Sequence, residues 1–287
     1  MIAINKLTSI VPLGIGINGR LQARALNLFD KLLPAKIGMF EIGEGIRVDT
    51  SENSERLLRY FLYNVLRYYR ASPLFRFMQK MLKDDDIFLD IGANLGMYSY
   101  LAKKLQCQSY AFEPEPAHVE FLKRNPSIYD RLFTVAASDS DGECDFFVAG
   151  KINPGGSSLV AGSAALRNSM YARTVKVKTQ RIDAAITDAN VIERIKLAKI
   201  DVEGAEELVV SGMTGLLKKN PFAIWCEVRG PQSSRNPNSC QKVIDILAPL
   251  GYHAYVFEGR SLEVFSDRHV QQVFDLIFLQ NKSGNIA

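Results

Sequence analysis

The stretch Asp86-Ile87-Phe88-Leu89-Asp90-Ile91-Gly92-Ala93-Asn94-Leu95-Gly96-Met97 decides the fold. Ile87 to Ile91 is a short apolar run with the length and side chains of a buried strand. Leu95 to Leu105 has the spacing of a helix. Between them the chain turns through two glycines, which let a backbone come close to a ligand because no Cβ intervenes. A helix that begins there also offers free N–H groups and the positive end of its dipole. In the dinucleotide version of this turn, G-x-G-x-x-G, those groups take a pyrophosphate. Here the three positions read Gly92, Asn94 and Met97, so the third glycine is absent. Asp90 ends the strand, and a carboxylate there suits an ammonium or sulfonium better than a pyrophosphate.

Downstream, strands and helices alternate. Ser109–Phe112 reads as a strand, Ala117–Arg124 as a helix and Leu132–Ala136 as a third strand. That order implies a parallel sheet with right-handed crossovers. Glu143–Ala149 and Thr174–Thr179 read as two strands of an insertion around the loop Asn153-Pro154-Gly155-Gly156-Ser157-Ser158. The sheet pattern resumes with Leu197–Ile200, a helix from Ala205, Ala223–Glu227, a helix over Gln241–Leu250, and strands Tyr252–Phe257 and Val273–Leu279. The expected fold is α/β: a Rossmann-like, seven-stranded, mostly parallel sheet with helices on both faces.

Upstream the pattern differs. Arg20–Leu33 is helical, Ile37–Asp49 reads as a hairpin through Gly43-Glu44-Gly45, Asn53–Arg70 is a long amphipathic helix, and Pro73 opens another helix to about Lys83. We therefore divide the chain into an extension over residues 1–84, expected to cap the substrate site, and a cofactor-binding domain over 85–287. On a helical wheel Arg56, Arg59, Tyr63, Arg67 and Arg70 form a stripe opposite the apolar face of the long helix. The stripe is either a solvated surface or a contact for an anionic acceptor.

The composition is that of an ordinary globular protein, with 287 residues, 47% hydrophobic and 23% charged, and a net charge of +4. No run of like charge reads as a nucleic-acid tail, and no stretch approaches the roughly 20 apolar residues of a membrane span. Pro12, Gly14, Gly16 and Gly19 interrupt the apolar N-terminus, and no cleavage site follows. Cys107, Cys144, Cys226 and Cys240 form no CxxC pair, and His118, His253 and His269 are scattered. Reduced thiols, a cytoplasmic location and no zinc site are expected.

Three further strand ends carry candidate chemistry. Glu113, about 20 residues after Gly92, ends the second strand, where a carboxylate can accept both hydroxyls of an adenosine ribose. Alone it would be an ordinary loop acid; with the glycine turn it is a specific signal. Ser138 and Asp139 follow the third strand, and Asp139 is either an acceptor for an adenine amine or part of the turn Ser138-Asp139-Ser140-Asp141-Gly142. Lys199-Ile200-Asp201-Val202-Glu203-Gly204-Ala205-Glu206 follows the fourth strand. Strand C-termini line the ligand crevice of such sheets, so Asp201 and Glu203 should point at the reaction zone. Glu206 should sit in the first helical turn, and Glu227 closes the next strand as a further acid.

Six segments together resemble the FkbM family of methyltransferases, within the class I fold that binds S-adenosylmethionine. They are FLDIGANLGMYS (88–99), YAFEPEP (110–116), VAASDSDGECDFF (135–147), NPGGSSL (153–159), TQRIDAAI (179–186) and KIDVEGAEELVVSGM (199–213), with CEV (226–228) a weaker seventh. The resemblance implies S-adenosylmethionine as cofactor, contacts to it from Asp90, Gly92, Asn94, Gly96, Glu113 and Asp139, and a place nearer the substrate for Asp201. Two positions depart from the pattern, Tyr69-Arg70 and Ile182-Asp183-Ala184. Methyl transfer to a hydroxyl needs a base, for which Asp201 and Glu203 are the candidates. An Asn/Asp-Pro-Pro-aromatic segment, frequent in enzymes that methylate planar amines, is replaced here by Asp201-Val202-Glu203-Gly204. The expected acceptor is therefore a hydroxyl, of a sugar in a glycan or glycolipid or of a polyketide-like small molecule. Asp201, Glu203 and Glu227 would also suit magnesium, although no metal is expected. The rival readings are an NAD-binding dehydrogenase and a catalytically silent cofactor-binding protein.

Overall fold

The computed structural model describes residues 39–41, 47–49, 73–149, 156–160, 173–233, 236–258, 261–271 and 273–280. The predicted helices at 20–33 and 53–70, with the arginine stripe and Tyr69-Arg70, lie outside these residues. Of the extension, β1 (Met39–Glu41) and β2 (Arg47–Asp49) pair antiparallel, as the hairpin reading requires. The helix α1 (Pro73–Met81) follows, with proline at its first position where no N–H is needed.

The next strands and helices are β3 (Ile87–Ile91), α2 (Met97–Lys104), β4 (Gln108–Phe112), α3 (Pro116–Arg124) and β5 (Arg131–Phe133). An excursion contains β6 (Ala136–Ala137), β7 (Gly142–Phe147) and β8 (Thr174–Gln180). Two short helices, α4 (Ile182–Ala185) and α5 (Ala189–Arg194), lead back into β9 (Ile195–Ile200). The chain continues through α6 (Glu206–Ser211), α7 (Thr214–Lys219), β10 (Ala223–Arg229), α8 (Ser239–Leu247), β11 (Tyr252–Glu258), β12 (Ser261–Val264) and β13 (Val273–Gln280).

The main sheet has the order β12-β11-β13-β10-β9-β3-β4-β5, eight strands where seven were expected. The strands from β10 to β5 in this order are all parallel, whereas β13 pairs antiparallel with β10 and β11, and β12 antiparallel with β11. The extra strand β12 is the return arm of a hairpin, with Glu258 opposite Ser261. In the sequence, Gly259-Arg260 is a Gly-X pair of the kind that favours a two-residue hairpin connection, a signal for this strand. The predicted third strand at 132–136 also divides. Its first part, β5, pairs with β4, whereas Ala136 and Ala137 pair with β8 in a separate three-stranded sheet, β6-β8-β7. One apolar run conceals this transfer because the partly exposed β5 and the buried β6 follow each other in one continuous stretch of strand-forming residues.

Alternation along the strands builds two cores. Ile87, Leu89 and Ile91 of β3 and Ile224, Cys226 and Val228 of β10 face α6–α8 through Val209, Leu217, Val243 and Leu247. Phe88, Leu197 and Trp225 face α1–α3 through Met78, Leu101 and Phe121. A parallel strand buried on both faces reads as continuous apolar sequence, and this is why β3 was legible. All four cysteines are free thiols. Among the described residues no helix is long and apolar enough to cross a membrane.

The TQRIDAAI motif has a structural explanation. Asp183 accepts hydrogen bonds from the N–H groups of Gly215 (2.8 Å) and Leu216 (2.7 Å), capping α7 across a 32-residue separation. Nearby, a Cβ at Gly212 would lie 1.9 Å from the Ser138 carbonyl, so glycine allows the two backbones to touch where the small sheet meets the main one. Asp183→Ala removes two charge-assisted bonds to the helix start. It should lower the urea-unfolding free energy by about 2 kcal/mol, with secondary structure retained.

Candidate active site

The C-terminal ends of β3, β4 and β9 open into a cleft of about 990 Å³, counting the solvent at its mouth. On one side it is lined by Gly92, Asn94, Glu113 and His118, and on the other by Lys199, Asp201 and Glu203. Phe146 and Leu159, brought by β7 and the NPGGSSL loop, complete the wall beside Ala136 and Ala137.

The glycine turn is a run of left-handed residues. Gly92, Asn94 and Gly96 have φ of 80°, 55° and 75°. Asparagine tolerates this region better than most residues with a Cβ. A Cβ on Gly92 would lie 2.0 Å from the Asp201 carbonyl, and one on Gly96 would lie 2.7 Å from Ile128. The glycines therefore also serve close packing within the protein. Gly92 in particular lets the first and fourth strand ends meet. Asn94 N–H donates to Glu113 Oε2 at 2.7 Å, and Glu115 N–H donates to Oε1 at 2.8 Å. Glu113 thus joins the glycine turn to the second strand end while remaining on the cleft wall, 4% exposed.

Asp90, Ser138 and Asp139 sit differently from the sequence expectation. Strand alternation puts Asp90 on the Phe88 face, beneath α2, where Oδ2 accepts from Ser99 N–H (2.8 Å) and Ser99 Oγ (2.6 Å). It is fully buried behind the cleft and anchors the start of α2. Burial raises its pKa above the ordinary carboxylate value, opposed by Lys199 and the Ser99 hydrogen bonds. After Ala137 the chain turns away: Ser138 N–H donates to Gln180 O, and exposed Asp139 accepts from Ser138 and Ser140 hydroxyls. The turn reading of this segment is the one observed, and only its alanines line the cleft.

The acids of the fourth and fifth strand ends converge. Carboxylate oxygens of Asp201, Glu203 and Glu227 lie within 4.8 Å of one another. Two cations that sequence reading did not single out hold them. Lys199 Nζ donates to Asp201 Oδ2 at 2.7 Å, and Arg229 Nη2 donates to Glu203 Oε2 at 2.6 Å and Glu227 Oε1 at 3.3 Å. Both are almost completely buried, Lys199 under the rings of Tyr98 (4.6 Å) and Trp225 (5.6 Å). The period of two places Lys199 beside Asp201 and Arg229 beside Glu227, so the strand pattern held a signal for both. The Asp201 charge, burial and the Glu203 charge together push the Glu227 carboxyl well above its ordinary pKa, against the pull of Lys199. Glu203 occupies a left-handed position (φ 59°) before Gly204 (φ 111°), a strained turn of the kind found where side-chain placement matters.

Residues 90–254 match the family model "Methyltransferase FkbM domain". The chain belongs to the FkbM methyltransferase family. The 2-O-methyltransferase NoeI of Sinorhizobium fredii is 27% identical over 220 residues, covering 72% of this chain and 90% of that protein. Methyltransferase sdnD of Sordaria araneosa is 30% identical over 164 residues, 46% of this chain and 62% of its own. A solved FkbM methyltransferase from Methylobacillus flagellatus superposes with a TM-score of 0.42 and 14% identity, covering 78% of this chain and 55% of that one. This FkbM protein is an S-adenosylmethionine-dependent methyltransferase.

Glu206 opens α6, as expected, but it is fully buried and its Oε1 accepts from Gly204 N–H at 2.7 Å, bracing the Glu203 turn. Burial raises its pKa to about 7, opposed by that hydrogen bond and by Arg229. A carboxyl raised on folding binds its proton more tightly in the native state, so stability falls as pH climbs from its ordinary value of about 4.5 to about 7. Glu206→Gln keeps the acceptor and removes the titration. The difference in urea-unfolding free energy between variant and parent should grow in the variant's favour by roughly 2–3 kcal/mol between pH 5 and pH 8. An equal difference at both pH values would show that Glu206 does not titrate there.

Proposed function

We propose that the protein is an O-methyltransferase whose cleft holds S-adenosylmethionine across the Gly92–Gly96 turn and Glu113 and whose acid cluster deprotonates an acceptor hydroxyl. The observation that carries this reading is the juxtaposition, in one cleft, of an adenosine-type carboxylate at the second strand end with Asp201 and Glu203 at the fourth. The residues present fit the cofactor. Glu113 Oε2 uses one lone pair on the Asn94 N–H and keeps acceptor capacity for a ribose hydroxyl, while Oε1 is engaged by Glu115 N–H and His118. Ala136, Ala137, Phe146 and Leu159 offer an apolar slot for a purine. When bound, the cofactor supplies an electrophilic methyl on a sulfonium.

The chain's own residues do the rest. Gly92 keeps the Asp201 backbone against the cofactor turn, so the two reactant sites sit at contact distance and catalysis is largely positioning. The carboxylate cluster would take the proton of an acceptor hydroxyl placed in the cleft, leaving its oxygen as the nucleophile. Asp201 and Glu203 face the cleft, and Glu227 stands behind them as the carboxyl most inclined to hold a proton. Lys199 and Arg229 fix both cleft carboxylates in place, so the base arrives oriented. The relative named as a 2-O-methyltransferase supports methylation of an oxygen, on a sugar of a glycan or glycolipid or on a polyketide-like small molecule. The extension over residues 1–84 serves as a substrate cap in this reading, with β2 lying against α3.

S-Adenosylhomocysteine should bind with micromolar affinity, roughly −8 kcal/mol, and NAD should not. Calorimetry that finds NAD binding in its place would overturn the reading. Glu113→Ala should weaken S-adenosylhomocysteine at least about tenfold, by loss of charge-assisted hydrogen bonds. Asp201→Asn or Glu203→Gln should leave that affinity intact while lowering turnover on a hydroxyl acceptor by roughly 10²–10⁴. Unchanged turnover in both variants would move the base elsewhere.

A further inference from the structure

His118, one of three scattered histidines in the sequence, lines the cleft and is 3% exposed. Its Nδ1 lies 3.5 Å from Glu113 Oε1 and 3.5 Å from Glu115 Oε2. The local sequence produces this contact. Pro116 starts α3 directly after Glu115, and His118 follows Glu115 at the i+3 position, on the side of the helix that meets the end of β4. Glu113 and Glu115 are themselves 4% and 6% exposed. Two carboxylates this close and this buried repel each other unless a cation stands between them. Among the described residues, the charged groups acting on this cluster are Glu113 from the end of β4, Glu115 from the start of α3, and Arg173, which acts on Glu115 from ahead of β8. The Ser157 hydroxyl hydrogen-bonds Glu115 from the NPGGSSL loop.

We propose that protonated His118 is a positioning residue of the cofactor site, holding Glu113 toward the ribose and, through Glu113, holding the Asn94 turn in its binding geometry. The inference rests on the S-adenosylmethionine reading above. Burial opposes an imidazolium, but the hydrogen bond to Glu113 and the charges of Glu113 and Glu115 outweigh it, and the His118 pKa stands above its ordinary value. A raised histidine keeps its proton through neutral pH. The support it gives is complete at low pH and is lost as pH rises through the folded-state value. Once that proton is gone, Glu113 and Glu115 lose the cation between them, with Arg173 left to act on Glu115.

The experiment needs no methyl acceptor. S-Adenosylhomocysteine is titrated calorimetrically into the full chain from pH 6 to 8.5, and the histidine ring signals are followed by NMR over the same range, with His118→Gln giving the assignment. In the parent, affinity should fall roughly fivefold, the lower end of ordinary coupling between two sites. It should fall across the interval in which His118 titrates, above the ordinary histidine value of about 6.5. His118→Gln should bind more weakly and without that pH dependence, which separates the effect from any titration of the ligand itself. Glu115→Gln should move both transitions to lower pH together, and this arm decides the matter should His118→Gln not fold. Parent affinity that stays flat while His118 titrates, or an unaltered dissociation constant in His118→Gln, overturns the inference and leaves the cofactor reading standing. Absence of binding at every pH overturns the cofactor reading itself and the inference with it.

Discussion

The buried ammonium of Lys199 is the constraint around which the acidic strand ends of the sheet are organised. It lies among Asp90, Asp201 and Glu227, with Tyr98 and Trp225 as its walls. A buried cation is tolerable only when it is paired, and the acids are tolerable only because it is there. Its charge holds together ends of three adjacent strands, β3, β9 and β10, that would otherwise repel. Arg229 does the same one step outward, between Glu203 and Glu227. The two ion pairs leave Asp201 and Glu203 at the cleft with fixed orientation, whereas the third acid, Glu227, takes the burden of the remaining repulsion.

The cofactor side obeys the same rule with different residues. Glu113 is secured by two backbone donors and by an imidazole shared with Glu115. Each wall of the cleft therefore contains carboxylates compensated by a buried base, lysine and arginine beside Asp201 and Glu203, histidine beside Glu113. Between them runs the glycine turn, whose left-handed residues let the two strand ends approach to van der Waals distance. The first and fourth strand ends meet there, at Gly92 against the Asp201 backbone and through the hydrogen bond from Asp201 N–H to the Ile91 carbonyl.

Sequence patterns predicted most of the sheet because parallel strands buried on both faces leave continuous apolar runs, and amphipathic helices leave a 3.6-residue period. They did not predict α4 and α5, which are too short to show a period, nor the division of the third strand between two sheets. Pattern reading also placed Asp90 and Asp139 at the ligand because strand ends line the crevice in general. Which face of the strand a terminal residue occupies, and whether the chain then turns away, depends on partners distant in sequence: Ser99 for Asp90 and Gln180 for the residue before Asp139.

The sequence by itself determined the α/β class, the strand-turn-helix at Asp90–Met97, the acid that ends the second strand, and the acidic strand ends at Asp201, Glu203 and Glu227, since each is written in a local pattern of period, glycine and charge. Tertiary structure alone decided which of these face the cleft and what neutralises them. Lys199 meets two aromatic rings from other elements, Arg229 spans two acids 26 and 2 residues away, and His118 closes on the end of β4. The physical reason is that a buried charge is specified by its three-dimensional neighbours, and a linear pattern records the charge without recording what compensates it.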